Sequence, residues 1–258
     1  MADLISTHLI NKVNQKLNTA ISELNAQIVN LENQLQSCGG YKKYTTNSIF
    51  VVPLGFTTIR VSAIGGGGGG GGGAVGLNNS SAASSASGGS GGGSGYYVYN
   101  REINVTPGET LTVIIGNGGS GGRESTMGTR GAEGTAGGST LLKRGDITIF
   151  EAAGGGEGHG GYKPPNTSTT AEEPSGGVGG YNGKKGQWAS GGSPYRRGPG
   201  GSGGKNPYFN GFGDGGDGGE GGCPDTTTSL SGKAGTSGKS GALLICFGNY
   251  FEASDITW

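Results

Sequence analysis

Apolar residues at the start of the chain fall on one helical stripe. Ile10, Leu17, Leu24 and Leu31 recur every seven positions, interleaved with Ile21, Ile28 and Leu35. The alternating three-four spacing is that of a coiled-coil seam. No glycine or proline interrupts residues 4–38, and Gly39-Gly40 supplies a stop. Polar Asn14, also in the seam, would fix register. The stripe therefore predicts a coiled-coil oligomerisation stalk over residues 1–40, with Ile10, Asn14, Leu17, Ile21, Leu24, Ile28, Leu31 and Leu35 in contact with copies of themselves. Isoleucine at one seam position and leucine at the other favour a parallel dimer, and so short a seam leaves a trimer open.

From Tyr44 the pattern turns to β. Residues 49–61 read as two strand segments broken at Pro53-Leu54-Gly55. Residues 96–105 and 110–115 predict a hairpin around Thr106-Pro107-Gly108-Glu109, which places proline and glycine centrally in a turn. Residues 141–142 and 147–150 suggest a second hairpin, and 242–247 a closing strand. Nine consecutive glycines at 65–73 and a Ser/Ala/Gly stretch to 95 read as an insertion within a β domain spanning 41–152.

Further along, the period becomes three. Glycine occupies 128, 131, 134 and 137; then 177, 180, 183 and 186; then 213, 216, 219 and 222; then 232, 235, 238 and 241. Three residues per turn with a rise of about 3.1 Å matches the left-handed extended helix, which has no internal hydrogen bonds and must be satisfied by neighbours or water. This predicts a bundle of polyglycine II helices over 153–241, with a first rod at 128–137 and a C-terminal strand and tail at 242–258. Residues 215–222, where two residues in three are glycine, are expected inside the bundle, and 128–137 outside it. The fold class expected is thus an N-terminal coiled coil, a small β domain and a Gly-rich bundle of polyglycine II helices.

Composition offers two rival readings of the same segments. Glycine supplies 63 of 258 residues, which suits a flexible linker, yet a linker has no reason to keep register and run length. Collagen requires a long unbroken period and abundant proline, whereas these runs are short and the chain has nine prolines.

The order of these features carries a resemblance. Residues 50–61 followed by the glycine run, then Val105-Thr106-Pro107-Gly108-Glu109-Thr110-Leu111-Thr112-Val113, the triplets, and terminal Gly241-Ala242-Leu243-Leu244-Ile245 resemble the glycine-rich domain of bacteriophage tail-fibre and tail-tip proteins over about 45–250. The triplet region is similar to the glycine-rich adhesins at the fibre tips of T-even-like phages. The resemblance implies a stack of polyglycine helices with variable loops at the tip, and a homo-oligomer, here a trimer rather than a dimer. It also implies association with other virion tail proteins, and a host surface glycan or outer-membrane protein as receptor. The expected location is the virion tail, assembled in a host cytoplasm; no secretory signal or membrane-spanning run is read in the chain. A purely structural virion role (collar, whisker or capsid fibre) is the alternative. Ice binding is a further one, since the region also resembles an insect antifreeze family.

Candidate contact residues lie between the triplet runs: Tyr162; Trp188, Tyr195, Arg196 and Arg197; and Tyr208, Phe209 and Phe212. Aromatic and arginine side chains give large stacking surfaces at binding sites, although the same rings could instead cap the rods. Other chemistry finds little footing. Gly238-Lys239-Ser240 lacks the upstream glycine of a phosphate loop, Lys233 standing there, and a strand rather than a helix follows. Asp214, Asp217 and Glu220 recur every three residues, about 9 Å apart, too wide to share a calcium ion and better read as a solvated ridge. His8 and His159 lie beside no candidate nucleophile. No enzyme, metal or cofactor is expected. A net charge of zero with scattered Lys and Arg gives no nucleic-acid face.

Overall fold

The computed structural model describes residues 2–37, 39–76, 78–79, 82–83, 86–126, 128–162, 173–187, 198–222 and 231–248, and within 2–37 the side chains of 8–31 and Gln34. The glycine-free start forms one helix, α1 (Ala2–Ser37). Eight strands follow: β1 (Gly40–Tyr44), β2 (Ser48–Val51), β3 (Thr58–Ile64), β4 (Tyr97–Asn104), β5 (Thr110–Ile114), β6 (Thr140–Arg144), β7 (Ile147–Ala152) and β8 (Ala242–Phe247). A two-residue pairing of Asn78–Asn79 with Ala82–Ala83 lies between β3 and β4. The strands make two antiparallel four-stranded sheets, ordered β1-β8-β3-β4 and β2-β5-β6-β7.

The expected fold class is corrected by this architecture. Among the described residues the regular elements are one helix and two antiparallel four-stranded sheets, mostly β, and neither a coiled coil nor a bundle of polyglycine helices is among them. The seam residues Ile10, Leu17, Ile21, Leu24, Ile28 and Leu31 are all exposed, as is Asn14, because a seam needs a second helix and the described residues hold only α1. The side chain of Leu35 lies outside the described residues.

Alternation along the strands explains how the sheets pack. In β5, Leu111 and Val113 point inward while Thr110 and Thr112 face solvent. They meet Phe50, Val52, Ile59, Val61, Leu142, Phe150, Leu243 and Ile245 in one core filled from both sheets. Full burial of each such side chain contributes about 1.5–3 kcal/mol.

The sequence at Thr106-Pro107-Gly108-Glu109 forms its turn but not its hairpin. Glu109 N donates to Thr106 O at 2.9 Å, and Gly108 takes φ 78°, a type II geometry with proline ahead of glycine. Yet β4 pairs with β3 in one sheet, and β5 with β2 and β6 in the other. The primed turns match the twist of a hairpin, whereas a type II turn splays its flanking strands. Here it carries the chain across the core. Glu109 clips the arch: its carboxylate accepts from Thr106 N and from the Arg144 guanidinium, which also donates to Asn104 O at 2.8 Å. The break at Pro53-Leu54-Gly55 is a second such arch, from β2 to β3. In contrast, β6 and β7 pair directly as the expected hairpin, and β8 is the expected closing strand.

Several strands run straight into glycine segments that carry no regular secondary structure. Residue 65 continues β3, donating at 3.0 Å to the carbonyl of Tyr96, the residue before β4. Through residues 65–73 the backbone donors then step in threes between neighbours. Gly68 and Gly71 donate to Gly93 and Ser90, Gly66, Gly69 and Gly72 to Gly138, Thr135 and Ala132, and Gly67, Gly70 and Gly73 to Lys239, Thr236 and Lys233. The carbonyls accept from Gly119 and Gly122, from Gly155, Gly158 and Gly161, and from Gly216 and Gly219. The segments enclosed on every side are thus 65–74 and 87–95, which the sequence reading treated as an insertion. Residues 215–222, expected inside, bond through their backbone to residues 65–74, 87–95, 198–204 and 233–239, but Asp217 is exposed and Asp214 and Glu220 are only half-buried.

One run folds back where a single rod was expected. Asn182 Oδ1 accepts from Gly179 N at 3.0 Å, closing a turn that returns the chain so that Gly183 N donates to Gly177 O at 2.9 Å.

A Cβ on Gly219 would fall inside the envelope of the Lys233 carbonyl. Gly219→Val should therefore cost about 3 kcal/mol or more through overpacking and lost inter-segment bonds. Lys184→Ala, at an exposed position, should change the melting temperature little; equal tolerance of the two in thermal unfolding would contradict the close packing of these segments. The arch supplies a pH test. Hydrogen bonding from Arg144 holds the Glu109 carboxyl below its ordinary range. Its contribution is present above the unfolded pKa of about 4.3 and disappears as pH falls through the depressed folded value. The melting temperature of wild type should accordingly drop more between pH 5 and pH 2 than that of Glu109→Gln, measured by circular dichroism.

Candidate binding site

Where β4 leaves the glycine segments, three tyrosines from distant parts of the chain meet. Tyr97 opens β4 directly after the glycine-rich segment ending at Gly95. Tyr181 sits in the Asn182 turn, where its N–H donates to Ser94 Oγ at 2.9 Å and its carbonyl accepts from Ser94 N at 2.9 Å. Tyr208 belongs to the loop after residue 204. Asn206 Oδ1 accepts from Tyr208 N at 2.9 Å, and Asn206 N donates to Asp214 Oδ1 at 3.0 Å, which fixes the loop to the acidic flank.

The rings form a cluster rather than a line. Tyr97 stacks on Tyr181 with centroids 6.4 Å apart and planes 14° from parallel, while Tyr208 lies 6.1 Å from Tyr97 at 46°. Beneath them Phe209 is fully buried against Ile64 and Ala242, its centroid 6.1 Å from that of Tyr97. Tyr208 is 62% exposed and Tyr97 41%. Burial raises the pKa of Tyr181, reinforced by the charges of and hydrogen bonds with Tyr97 and Tyr208. Tyr96 and Tyr99 add exposed rings along the same strand.

The residues expected to bind are distributed unevenly. Tyr208 is in the cluster and Phe209 forms its floor. Phe212 is half-buried on the Ile64, Phe209 and Ala242 group, with Lys43 Nζ 5.1 Å from its ring centre. Tyr162 lies apart: its ring carries the Arg130 guanidinium at 4.2 Å, and its N–H donates to Ser87 Oγ at 2.8 Å. Trp188, Tyr195, Arg196 and Arg197 lie outside the described residues. Tyr97 and Tyr181 were missed, the first because it reads as a strand residue, the second because it sits inside a regular triplet run. The pair Tyr181-Asn182 between Gly180 and Gly183 is a turn signal that could have revealed it.

The acidic flank is occupied by the protein itself. Asp217 Oδ1 accepts from Gly203 N at 2.8 Å, Asp214 from Asn206 N, and Glu220 pairs with Lys233 Nζ at 2.8 Å. Among the described residues no group of histidine, cysteine and carboxylate side chains could hold a metal ion.

Fold and site together define a mostly-β scaffold that displays aromatic rings on hydrogen-bonded glycine segments. Residues 43–248 match the glycine-rich domain family, and the chain belongs to it. α1 lies outside the matched region. No curated protein matches the chain.

The cluster makes a spectroscopic prediction. In alkaline absorbance titration, Tyr181→Phe should remove a phenol ionising above the ordinary tyrosine range near 10. Loss of a phenol with an unshifted value would show that the three hydroxyls do not interact in solution.

Proposed function

We propose that this chain is a bacteriophage tail-fibre or tail-tip adhesin that binds a host cell-surface receptor. The observation that carries the reading is the cluster of Tyr97, Tyr181 and Tyr208, of which Tyr97 and Tyr208 are exposed, on a backbone whose polar groups are tied to neighbouring segments. Binding loops on a rigid scaffold are a common route to recognition, and aromatic anchors dominate binding energy. The order of strands, glycine run and triplets resembles that of phage tail proteins, which supports the particular setting. Self-association would suit the exposed apolar stripe of α1, from Ile10 to Leu31, by giving it a surface to cover. A homo-oligomer, trimer preferred, would multiply weak contacts through effective concentration without any new interaction.

The burial of Phe209 and Phe212 favours a second reading, a structural virion protein whose rings only hold the loop in place. The two diverge in an adsorption assay. Purified protein should compete with the virion for host cells, and Tyr208→Ala should lose that competition while its melting temperature shifts by only a few degrees. A folded wild-type protein that never competes, although antibodies against it label the tail, would favour the structural role.

A further inference from the structure

We propose that Tyr97, Tyr181 and Tyr208 form a carbohydrate-stacking site that takes a neutral pyranose of a surface glycan. This rests on the adhesin reading and names its ligand class. The chemistry follows from what the rings leave free. The three rings lie close together, Tyr97 with its centroid 6.4 Å from Tyr181 and 6.1 Å from Tyr208. Each phenol has one O–H donor and two acceptor lone pairs. Three phenols brought this close gather donors and lone pairs at the rim of the stack. Beside that polar rim, the Tyr208 ring offers a flat apolar face at 62% exposure.

A pyranose presents the complementary pair of surfaces: one face of C–H bonds that packs on an aromatic ring, and a girdle of hydroxyls that both donate and accept. A protein partner would more typically seat an apolar side chain in a desolvated pocket. Here that position is already filled, since Phe209 plugs the space under the rings with no exposure of its own. What remains is a shelf with a hydroxyl edge. Asn206 adds polar constraint to the loop behind Tyr208, its Oδ1 holding Tyr208 N and its N–H holding Asp214. The exposed ring is therefore presented by a loop fixed at both ends rather than by a free tip.

The test is saturation-transfer NMR on the full chain with the methyl α-pyranosides of glucose, galactose and mannose as probes. At least one should receive saturation on its ring C–H protons. Tyr208→Ala should weaken that binding roughly tenfold or more, as expected for loss of a central aromatic anchor. Tyr208→Phe, which keeps the face and removes the hydroxyl, should weaken it less. Tyr41→Ala, an exposed ring on β1 away from the cluster, should leave it unchanged. Absence of transfer to any of the three from folded protein, or Tyr208→Ala binding like wild type, overturns the site. Labelled protein should also lose attachment to cells whose surface sugars have been oxidised with periodate. Attachment that survives oxidation assigns the receptor to protein, overturning the glycan site while the adhesin reading stands. Glycoside binding without any competition for cells does the reverse.

Discussion

The glycine segments of this chain depend on one interaction, the backbone N–H···O=C bond between neighbouring segments. Along 65–73 those bonds measure 2.8–3.0 Å, and the donors turn to a different neighbour at each residue. Side chains cannot be accommodated at that spacing: a Cβ on Gly70 would overlap the carbonyl of Asp217. The energetics are close to balance. Each such bond contributes a net 0.5–1.5 kcal/mol or so, while ordering a residue's backbone costs about 1–2 kcal/mol, with glycine at the unfavourable end. Glycine segments alone would have little margin. The sandwich supplies the rest, because β3, β4, β5, β6, β7 and β8 all abut glycine segments and arrive already registered by a conventional apolar core.

Serine modifies this arrangement where it is needed. Ser87, Ser90 and Ser94 are fully buried in the second enclosed segment, and each hydroxyl accepts from a backbone N–H of the neighbour it faces: Tyr162, His159 and Tyr181. Each serine also donates its own N–H to the carbonyl of that same neighbour, at 2.9–3.1 Å, so the hydroxyl supplies the acceptor that the neighbour's N–H needs without separating the two backbones. Two of those partners are tyrosines. The same device that keeps the interior saturated thus sets where Tyr162 and Tyr181 leave the backbone, and for Tyr181 it fixes the ring beside Tyr97.

The sequence revealed local structure more readily than partners. The β6–β7 hairpin, the type II turn and the closing strand were legible, because each is decided by a few adjacent residues. The two arches were not, since the choice between pairing across a turn and crossing the core depends on strands elsewhere in the chain. Residues 65–95 were misjudged for a related reason: glycine count identifies a segment that tolerates close approach, but not which segment the others surround. The seam in α1 was read from true periodicity, and a periodic stripe states only that an apolar surface exists. Of the candidate site, Tyr208 was visible as an aromatic between glycine runs, whereas Tyr97 and Tyr181 become neighbours only through pairings between residues eighty or more positions apart, such as Ser94 with Tyr181.

An architecture of this kind separates stability from surface identity. In residues 231–240 the glycines at 232, 235 and 238 face inward and the other residues are exposed; residues 131–137 follow the same rule with glycines at 131, 134 and 137. Lys184 and Lys185 likewise project to solvent while Gly186 is buried. The bonds that hold the segments together come from backbone, so exchanging an outward side chain removes few of them. Loops inserted between such segments inherit fixed end points from the hydrogen bonds at their bases, as Asn206 and Asp214 show for the Tyr208 loop. Substitution can then proceed at those outward positions with little effect on folding, because the backbone bonds that hold the segments do not pass through them.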